Sequence, residues 1–311
     1  MRILAGLVMA VLAYIALDGA FVAMASPLPM RGEMVDIGGR RLHLICEGPK
    51  GAGPSVLLEA GAFGFSADFG VVQEKLVAQG WHVCAYDRAG LGLSDPGPEP
   101  RDGLAVVGDL EKLLAAAHED GPFILVGHSM AGLYLRLFAN RNPGKVVGLV
   151  LVDAATPEST DTPMGQSFAR QFGGASRLAA FGARIGLYAP LAGTWLGDKI
   201  GLNPAASAEK RRAFASPTHN RWASAEVDQW LKTAEEAKAT GPLDPKWPVA
   251  VIVAGHRRPT GGLSPSRAAP ARQSAYGYVE SVEAASHATL LGLKYADAIV
   301  RGVDHVRDWA R

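Results

Sequence analysis

The sequence predicts an α/β fold with a mostly parallel eight-stranded sheet, helices on both of its faces and a helical cap insertion. Three observations lead to this prediction. Strand-like and helix-like hydrophobic patterns alternate from about residue 32 to residue 155. The next stretch, 156–248, reads as helices and loops without a convincing strand. Strand patterns resume only after it, so the insertion interrupts a sheet that is completed later in the chain.

The elements follow in a regular order. Two strand patterns come first and are joined at Gly38-Gly39, which is a hairpin signal. Further strand-like runs are SVLLEAG, WHVCAYD, FILVG and KVVGLVLVDAA, with helical patterns over 67–79 and 104–119 between them. The runs VAVIVAG and YGYVESVEA follow the insertion, and we expect one long amphipathic helix over 288–311 to close the chain.

Composition narrows the class of protein. The chain has 311 residues, 48% of them hydrophobic, and a formal net charge of +1. This length can bury one large core, and the balanced charge gives no reason to expect a nucleic-acid partner. The sequence contains no CxxC, no HExxH and no phosphate-binding glycine loop. We therefore expect a small-molecule substrate and neither a metal nor another cofactor.

The first 25 residues differ from the rest of the chain. Arg2 precedes an apolar stretch that runs to Leu17, which is typical of a secretory signal peptide, and Ala23-Met24-Ala25 resembles a cleavage site. The alternative is an uncleaved membrane anchor, since residues 3–25 are long enough to span a bilayer, although Asp18 would be costly there. Both alternatives predict that the remaining chain lies outside the cytoplasm.

The decapeptide FILVGHSMAG, residues 123–132, is the strongest local indication of chemistry. An apolar strand runs into Gly-His-Ser and a helical pattern follows at once, so Ser129 is predicted at a sharp strand-to-helix turn. Such a turn exposes a serine hydroxyl above the sheet. The fifth position of the usual G-x-S-x-G pattern is Ala131, with Gly132 one residue later. The alternative is an ordinary turn in which Ser129 caps the helix.

Three segments together resemble the α/β-hydrolase fold family: AYDRAGLGLSDPGP at 85–98, LVGHSMAGLYLRLFA at 125–139 and LVLVDAATP at 149–157. The DRAGLGLSD loop and the GHSMAG elbow are similar to those of the serine hydrolase branch. The resemblance implies a hydrolase core formed by 32–155 and 249–311, and a cap formed by 156–248. The insertion would then lie at the carboxyl end of the sheet, where such folds hold their ligands.

The resemblance also implies a catalytic triad in the order serine, acid, histidine. Downstream of Ser129 the histidines are His219, His256, His287 and His305, and His287 falls where the family has its histidine loop, after the last strand. The stretch after the cap lacks an acid between Val249 and Val279. Asp153, at the end of the strand before the cap, is therefore the expected acid, with Glu280 or Glu283 as the alternative.

An oxyanion hole needs two backbone N–H groups directed at the developing charge. The resemblance implies Met130, the residue after the nucleophile, and Ala62 in the loop after the strand SVLLEAG, with Phe63 as the neighbouring possibility. Asp87 and Arg88 are interpreted as structural residues that hold the glycine-rich loop near the site.

The chain has two cysteines, Cys46 and Cys84. One interpretation is that both are small buried apolar residues. The family's sheet places the strand of Cys46 beside and antiparallel to the strand of Cys84, so the resemblance implies a disulfide between them, which suits an exported protein.

These features predict a hydrolase that cleaves a carboxylic ester or related acyl bond through an acyl-enzyme, with Ser129, His287 and Asp153 as its triad. A serine nucleophile argues against the epoxide hydrolases and dehalogenases of this fold, which use a carboxylate. Peptidase, lactonase and perhydrolase activities stay open, and the apolar cap suggests an apolar acyl or alcohol group. The alternative from another class is a catalytically idle relative that serves as a ligand receptor or a membrane-tethered binding module.

Overall fold

The computed structural model describes residues 5–6, 8–14, 29–51, 53–255 and 265–310. The strands are β1 (Glu33–Asp36), β2 (Arg41–Glu47), β3 (Ser55–Glu59), β4 (Val83–Tyr86), β5 (Phe123–His128), β6 (Val146–Val152), β7 (Val249–Ala254) and β8 (Gly277–Val282). They form one eight-stranded sheet in the order β1-β2-β4-β3-β5-β6-β7-β8. Pairing is antiparallel among β1, β2 and β4 and parallel from β4 to β8, which confirms the predicted architecture.

Helices cover both faces of the sheet. They are α1 (Gly70–Ala78), α2 (Gly103–Ala116), α3 (Ala131–Arg141), α4 (Pro157–Thr160), α5 (Pro163–Arg184), α6 (Ala189–Ala192), α7 (Pro204–Ala215), α8 (Pro217–Asp228), α9 (Trp230–Ala239), α10 (Pro265–Gln273) and α11 (Asp297–Trp309). Helices α2 and α3 pack on one face of the sheet, and α1 and α11 pack on the other.

The central strands are buried on both sides. Every residue of β3, β4 and β5 is buried. Alternate side chains point to opposite faces, so Leu57 and Leu125 belong to one hydrophobic cluster while Val56 and Val126 belong to the other. Burial on both faces explains why these strands are continuously apolar rather than alternating in sequence.

Helices α4 to α9 fill the segment predicted as an insertion. Several of them begin in the same way: a side-chain oxygen caps the helix and a proline occupies the first turn, where its missing N–H costs nothing. The capping residues are Thr156, Thr162, Asn203 and Ser216. These local signals explain why the insertion is a series of short helices.

The last helix is shorter than predicted. A 3-10 turn spans Thr289–Leu291, the chain is extended at Gly292, and α11 begins only at Asp297. A Cβ at Gly292 would lie 2.0 Å from the carbonyl oxygen of Ile200, and the Leu293 N–H donates to Gly201 O at 2.9 Å. The prediction of one helix over 288–311 is therefore wrong, because packing against the turn at 200–201 interrupts the amphipathic pattern.

Cys46 and Cys84 form the predicted disulfide. They are register partners on the antiparallel strands β2 and β4, with Cα atoms 4.1 Å apart and sulfurs 2.07 Å apart. The backbone pairing places the two residues opposite each other. The two residues therefore stay opposite each other whether or not a bond joins their sulfurs.

The predicted signal peptide or anchor over 1–25 falls largely outside the described residues. Residues 8–14 are helical, with exposed apolar side chains such as Met9 and Leu12. Among the helices in the described ranges, none combines the length and the hydropathy that a bilayer-spanning helix needs.

Candidate active site

Ser129 lies at the sharp turn between β5 and α3. Its backbone is left-handed, with a φ of 58°, which is costly for a residue that has a Cβ atom. Its N–H donates to Val152 O at 3.0 Å, and its carbonyl accepts hydrogen bonds from Gly132 and Ala155. These backbone hydrogen bonds hold Ser129 in its strained conformation, and strain of this kind is common at functional residues. The turn lies at the carboxyl end of the sheet, where folds of this type bind their ligands.

The turn has its glycine at position 132 rather than 131 because the backbone of Ala155 passes close to residue 132. Ala131 is fully buried at the start of α3, where its methyl group fits. A Cβ at Gly132 would lie 2.3 Å from Ala155 O, and one at Gly127 would lie 2.5 Å from the Leu135 side chain. The departure from G-x-S-x-G thus leaves the turn intact, because the position without room for a Cβ is the next one.

His287 and Asp153 are hydrogen-bonded to each other. His287 Nδ1 donates to Asp153 Oδ2 at 2.6 Å. Asp153 directly follows β6 in a left-handed conformation with a φ of 42°, and its N–H donates to Ile252 O at 2.7 Å. Its side chain is 1% exposed, whereas that of His287 is 46% exposed. With Nδ1 bound to the carboxylate, Nε2 is the ring atom of His287 that can take up a proton.

A cationic side chain, in addition to His287, contacts Asp153. Arg267 of α10 donates from Nη1 to Asp153 Oδ1 at 2.8 Å. Burial by itself raises the pKa of the Asp153 carboxyl, but the hydrogen bond from His287 and the charge of Arg267 outweigh it, and the pKa lies below its usual value. Asp153 is therefore an anion across the neutral pH range.

His128 connects the His287 loop to the Ser129 turn. The two imidazole rings have their centroids 4.4 Å apart, and His128 Nε2 donates to the backbone oxygen of His287 at 3.0 Å. Burial lowers the pKa of His128 to about 3. His128 is consequently neutral at physiological pH. Because it directly precedes Ser129 in the chain, its hydrogen bond holds the backbone of His287 beside the Ser129 turn.

The loop after β3 passes directly beside Ser129. A Cβ at Gly61 would lie 2.8 Å from Ser129 Cβ. Arg88 holds this loop by donating to Ala60 O at 2.5 Å and to Gly61 O at 2.8 Å. Because the C=O and N–H of a trans peptide point in opposite directions, the bond to Gly61 O turns the Ala62 N–H away from Arg88.

Met130, the other predicted amide donor, is fully buried and immediately precedes α3. The first N–H groups of a helix have no acceptor within the helix, which is why the amide of Met130 stays a candidate for the oxyanion hole. Phe63, the alternative to Ala62, is left-handed with a φ of 58°.

The alternative acids take part in other contacts. Glu280 on β8 accepts from Tyr278 Oη at 2.6 Å and from Arg301 Nε at 3.1 Å. Glu283 is exposed just after β8. Neither shares the hydrogen bond that joins His287 to Asp153 in the structure.

The other histidines downstream of Ser129 are alternative candidates for the base, and those that the structure describes have contacts elsewhere. His219 is buried in α8, where Nδ1 accepts from the Gly92 N–H at 3.1 Å and Nε2 donates to Phe63 O at 3.2 Å. Burial lowers its pKa to about 3. His305 contacts Tyr276 O at 3.0 Å, and His256 lies outside the described residues.

Asp87 and Arg88 have the contacts expected of structural residues. Asp87 accepts hydrogen bonds from Ser66 N, Leu93 N and His43 Nδ1, each at 2.9 Å. Arg88 pairs with Glu59 of β3 and with Glu226 of α8, so it ties the insertion to the core.

The insertion contacts the loop beside Ser129 through aromatic side chains. The ring of Phe63 meets that of Phe172 at 6.2 Å, and Phe172 in turn contacts Phe168 at 5.6 Å and Trp230 at 6.0 Å. These four residues form an aromatic cluster between α5, α9 and the loop at 60–63. Lys210 adds a polar contact by donating to Phe63 O at 3.0 Å.

Sequence reasoning missed three residues of this region. His128 was visible inside GHSMAG, but the pattern gives that position no role. Arg267 and Glu226 contact residues that lie 114 and 138 positions away in the chain. No local pattern marks contacts of that kind, so only the folded structure identifies them.

Comparison with known proteins agrees with this architecture. A family model described as alpha/beta hydrolase fold matches residues 54–252, more than half of the chain. The probable transporter efuK of Hormonema carpetanum is 36% identical over 129 residues, which are 40% of this chain and 18% of that protein. An AB hydrolase superfamily protein of Gibberella zeae is 32% identical over 122 residues, 37% of this chain and 38% of that protein. The chain thus spans well under half the length of these relatives.

Several solved structures share the fold over nearly their whole length. A thermophilic esterase from Thermogutta terrifontis has a TM-score of 0.63 at 19% identity, covering 90% of this chain and 100% of that chain. An enol-lactonase from Burkholderia xenovorans has a TM-score of 0.62 at 20% identity, covering 88% and 99%. An epoxide hydrolase from Bacillus megaterium has a TM-score of 0.64 at 18% identity, covering 88% and 100%. At such identities the likeness establishes the fold alone.

Proposed function

Because the chain belongs to the α/β-hydrolase fold family, we propose that it is a serine hydrolase that cleaves a carboxylic ester, or a related acyl bond, through an acyl-enzyme. One observation carries the proposal. A serine occupies the left-handed turn after β5, and the His287–Asp153 pair is attached to that turn through His128. A serine hydroxyl can form an acyl-enzyme when a positioned base removes its proton.

Proton transfer follows from the hydrogen bonds of His287. In this proposal His287 Nε2 takes the proton of Ser129 Oγ as the oxygen attacks the substrate carbonyl carbon. The resulting imidazolium gives that proton to the leaving alcohol as the ester bond breaks. A water molecule then loses a proton to His287 and attacks the acyl carbon, and His287 returns this proton to Ser129 Oγ as the bond to the serine breaks and the acid leaves. Asp153 stays ionised throughout and stabilises the imidazolium, since its pKa is already low.

The developing oxyanion would be bound by the N–H groups of Met130 and Ala62. Support for Met130 comes from its position at the start of α3. Support for Ala62 comes from the Arg88 contact to Gly61 O, which turns the Ala62 N–H away from Arg88 on the loop that touches Ser129. Donors fixed in advance by buried contacts need no reorganisation during the reaction, which is the basis of their catalytic effect.

The aromatic cluster suggests the class of substrate. Phe63, Phe168, Phe172 and Trp230 place apolar rings next to the proposed oxyanion loop, and the last three belong to the insertion. An apolar acyl or alcohol group would gain most by contacting them. We propose that 156–248 acts as a mobile lid, and that esters with longer acyl chains are the better substrates.

We also propose that the catalytic domain works outside the cytoplasm, as residues 1–25 predict. The Cys46–Cys84 disulfide supports this location, because such bonds persist in oxidising compartments.

The decisive test is hydrolysis of p-nitrophenyl esters of increasing acyl length by the purified chain and by Ser129→Ala. We expect kcat/KM to rise with chain length in the unmodified protein. In the variant, turnover should fall by about 10³-fold or more, because loss of the nucleophile leaves only binding and the oxyanion hole. Most of the activity surviving in Ser129→Ala would refute the proposal.

A fluorophosphonate probe separates this function from that of an idle ligand receptor. An activated serine should label covalently at Ser129, and Ser129→Ala should stay unlabelled. Ser94, a buried serine that donates to Asp87 O at 2.6 Å, provides a matched control. The variant Ser94→Ala should label like the unmodified chain.

A further inference from the structure

A cluster of four potential metal ligands lies at the opposite end of the sheet from Ser129. Within the described residues, Cys46, His82, Cys84 and Glu119 place one ligand atom each within 4.8 Å of one another. Cys84 is the second residue of β4 and His82 precedes that strand, so the cluster lies where the parallel strands begin. Glu119 reaches it from the turn after α2. The site proposed for hydrolysis uses none of these side chains.

The imidazole of His82 is oriented as a ligand would be. Its Nδ1 lies 3.1 Å from the carbonyl oxygen of Gly48, which can only accept a hydrogen bond, so Nδ1 carries a proton. Nε2 faces Cys84 Sγ at 3.7 Å and Glu119 Oε1 at 3.2 Å. A histidine that donates from one nitrogen to a backbone carbonyl and presents the other to a cysteine sulfur and a carboxylate has the arrangement common at zinc centres.

Glu119 adds a buried oxygen that lacks a partner. Its side chain is 8% exposed. Oε1 contacts His82 Nε2 and Lys50 Nζ, each at 3.2 Å, but Oε2 is buried with no hydrogen-bond partner among the described residues. Leaving a carboxylate oxygen unsatisfied in the interior is costly, and a cation in the cluster would satisfy it.

The distances suit a tetrahedral ion once the disulfide is open. Zinc bonds of about 2.3 Å to sulfur and about 2.1 Å to nitrogen and oxygen place tetrahedral ligands about 3.4–3.8 Å apart. The separations of His82 Nε2 from Cys84 Sγ, 3.7 Å, and from Glu119 Oε1, 3.2 Å, are close to this range. Strand pairing keeps Cys46 opposite Cys84 after reduction, and its sulfur lies within 4.8 Å of the other ligand atoms in the oxidised structure.

We propose that reduction of the Cys46–Cys84 disulfide converts this cluster into a Zn²⁺ site with Cys46, Cys84, His82 and Glu119 as ligands. Two molecules of a small thiol, or one of a dithiol, supply the two electrons and two protons and are themselves oxidised to a disulfide. The two cysteine thiols then release their protons as Zn²⁺ binds the thiolates. Two thiolates and one carboxylate leave the bound site with one net negative charge, which the ammonium group of Lys50 neutralises.

Two thiolates, an imidazole and a carboxylate form a donor set that favours zinc over magnesium or calcium, which prefer oxygen ligands alone. The cluster would therefore hold either a disulfide or a zinc ion, according to the redox state. In both states β2 is linked to β4, by a covalent bond or by coordination.

The test uses the full chain without a polyhistidine tag, in its oxidised form and after reduction. Co²⁺ is the first probe, because tetrahedral thiolate coordination gives visible d–d absorption and a near-ultraviolet charge-transfer band. We expect the reduced chain to bind one Co²⁺ with both features and to release it to Zn²⁺. The oxidised chain should show neither feature.

Single-ligand variants that keep the disulfide provide the second arm. His82→Ala and Glu119→Gln should each weaken Zn²⁺ binding to the reduced chain by about tenfold or more, measured by competition with a chromophoric chelator. His305→Ala, at the β8 edge of the sheet, is the matched control and should bind Zn²⁺ like the unmodified chain. Near-ultraviolet circular dichroism of the oxidised variants checks that they fold.

Three results would overturn the proposal. One is a reduced chain that binds Co²⁺ without thiolate charge transfer. Another is unchanged Zn²⁺ affinity in both His82→Ala and Glu119→Gln. The third is a reduced chain that unfolds and is not restored by Zn²⁺.

Discussion

Arg88 and Arg267 each bind buried carboxylates, yet their surroundings differ sharply. The Arg88 side chain is 2% exposed and pairs with Glu59 at 2.7 Å and with Glu226 at 2.9 Å. All three guanidinium nitrogens donate hydrogen bonds, and their acceptors include the carbonyls of the loop beside Ser129. We call this Arg88 network closed, because every nitrogen of the buried guanidinium already has an acceptor.

The Asp153 network, formed by Asp153, His287 and Arg267, is open in comparison. Asp153 is as buried as Glu59, but Arg267 is 38% exposed and His287 is 46% exposed. His287 therefore combines a fixed orientation with a ring nitrogen that can exchange a proton. The difference between the networks indicates their roles: fully paired buried charges position the backbone, whereas a buried charge with solvent-accessible partners can support chemistry.

The largest expected effect comes from Asp153→Asn. Asparagine keeps the shape of the side chain and tolerates a positive φ, so the fold should persist. Turnover of the best ester should fall by up to about 10⁴-fold, because the amide favours the wrong tautomer of His287. The control is Glu280→Gln on β8, which should stay active. The reverse result, an active Asp153→Asn and an inactive Glu280→Gln, would assign the acid to Glu280.

Arg88→Met should cost the fold more than any single change in the Asp153 network. It removes the partner of two buried carboxylates, Glu59 and Glu226, and we expect a loss of about 3–5 kcal/mol in the free energy of unfolding. Urea denaturation at neutral pH with the disulfide intact measures this. Arg301→Met, which breaks an ion pair that is half exposed on the arginine side, should lose less than about 1 kcal/mol. Equal losses in the two variants would contradict the expectation that the two buried carboxylates depend on Arg88.

The buried His219 allows the effect of burial to be tested through the pH dependence of the unfolding free energy. Burial lowers its pKa from 6.5 to about 3. At pH values between these two pKa values, His219 binds a proton in the unfolded chain but not in the folded chain. The contribution of His219 to stability is complete above the unfolded pKa, and it is lost by about 1.4 kcal/mol per pH unit as the pH falls toward the folded value.

The variant His219→Phe should be less stable at neutral pH by about 1 kcal/mol, since the Gly92 N–H loses its acceptor. Phenylalanine does not titrate, so the variant does not lose stability through protonation at this position as the pH falls. The unfolding free energies of the variant and of the unmodified chain should therefore cross at about pH 5.5. Urea titrations at a series of pH values measure both curves. A constant gap between them across that range would show that His219 titrates normally in the folded protein.

Arg267→Met should have the smallest effect and act on the pH profile. The charge of Arg267 helps to hold the pKa of the Asp153 carboxyl below its usual value, so its removal should raise that pKa. The acidic limb of the kcat/KM profile should move upward as a result, with kcat at high pH nearly unchanged. Arg301→Met should leave the profile in place. An unshifted limb in Arg267→Met would exclude Arg267 as a positioning residue.

Much of the sheet and part of the site were predictable from the sequence. The apolar run before Ser129 and the helical pattern after it specify a turn locally, and the structure has that turn with a left-handed serine. The absence of an acid over 249–279 directed attention to Asp153, which is hydrogen-bonded to His287 in the structure. The assignment of these residues to catalysis stays a prediction until the variants are measured.

The interrupted final helix shows the limit of periodicity. The hydrophobic pattern continues through 288–296, but Gly292 lies against Ile200, and that contact forces the chain out of the helix. A pattern reports which side of a segment is buried. The pattern does not report which other part of the chain will pack against the segment.

The sequence by itself determined the order of strands and helices, the turn at Ser129 and the helical character of 156–248, because periodicity, capping and chirality act over a few residues. Only the tertiary structure decided that Arg88 joins Glu226 to the core, that Arg267 reaches Asp153, and that His82 and Glu119 meet the two cysteines. These contacts join residues far apart in the chain, and their partners are chosen by how whole elements pack. Such choices leave no mark on local sequence, since each partner alone is an ordinary charged or polar residue.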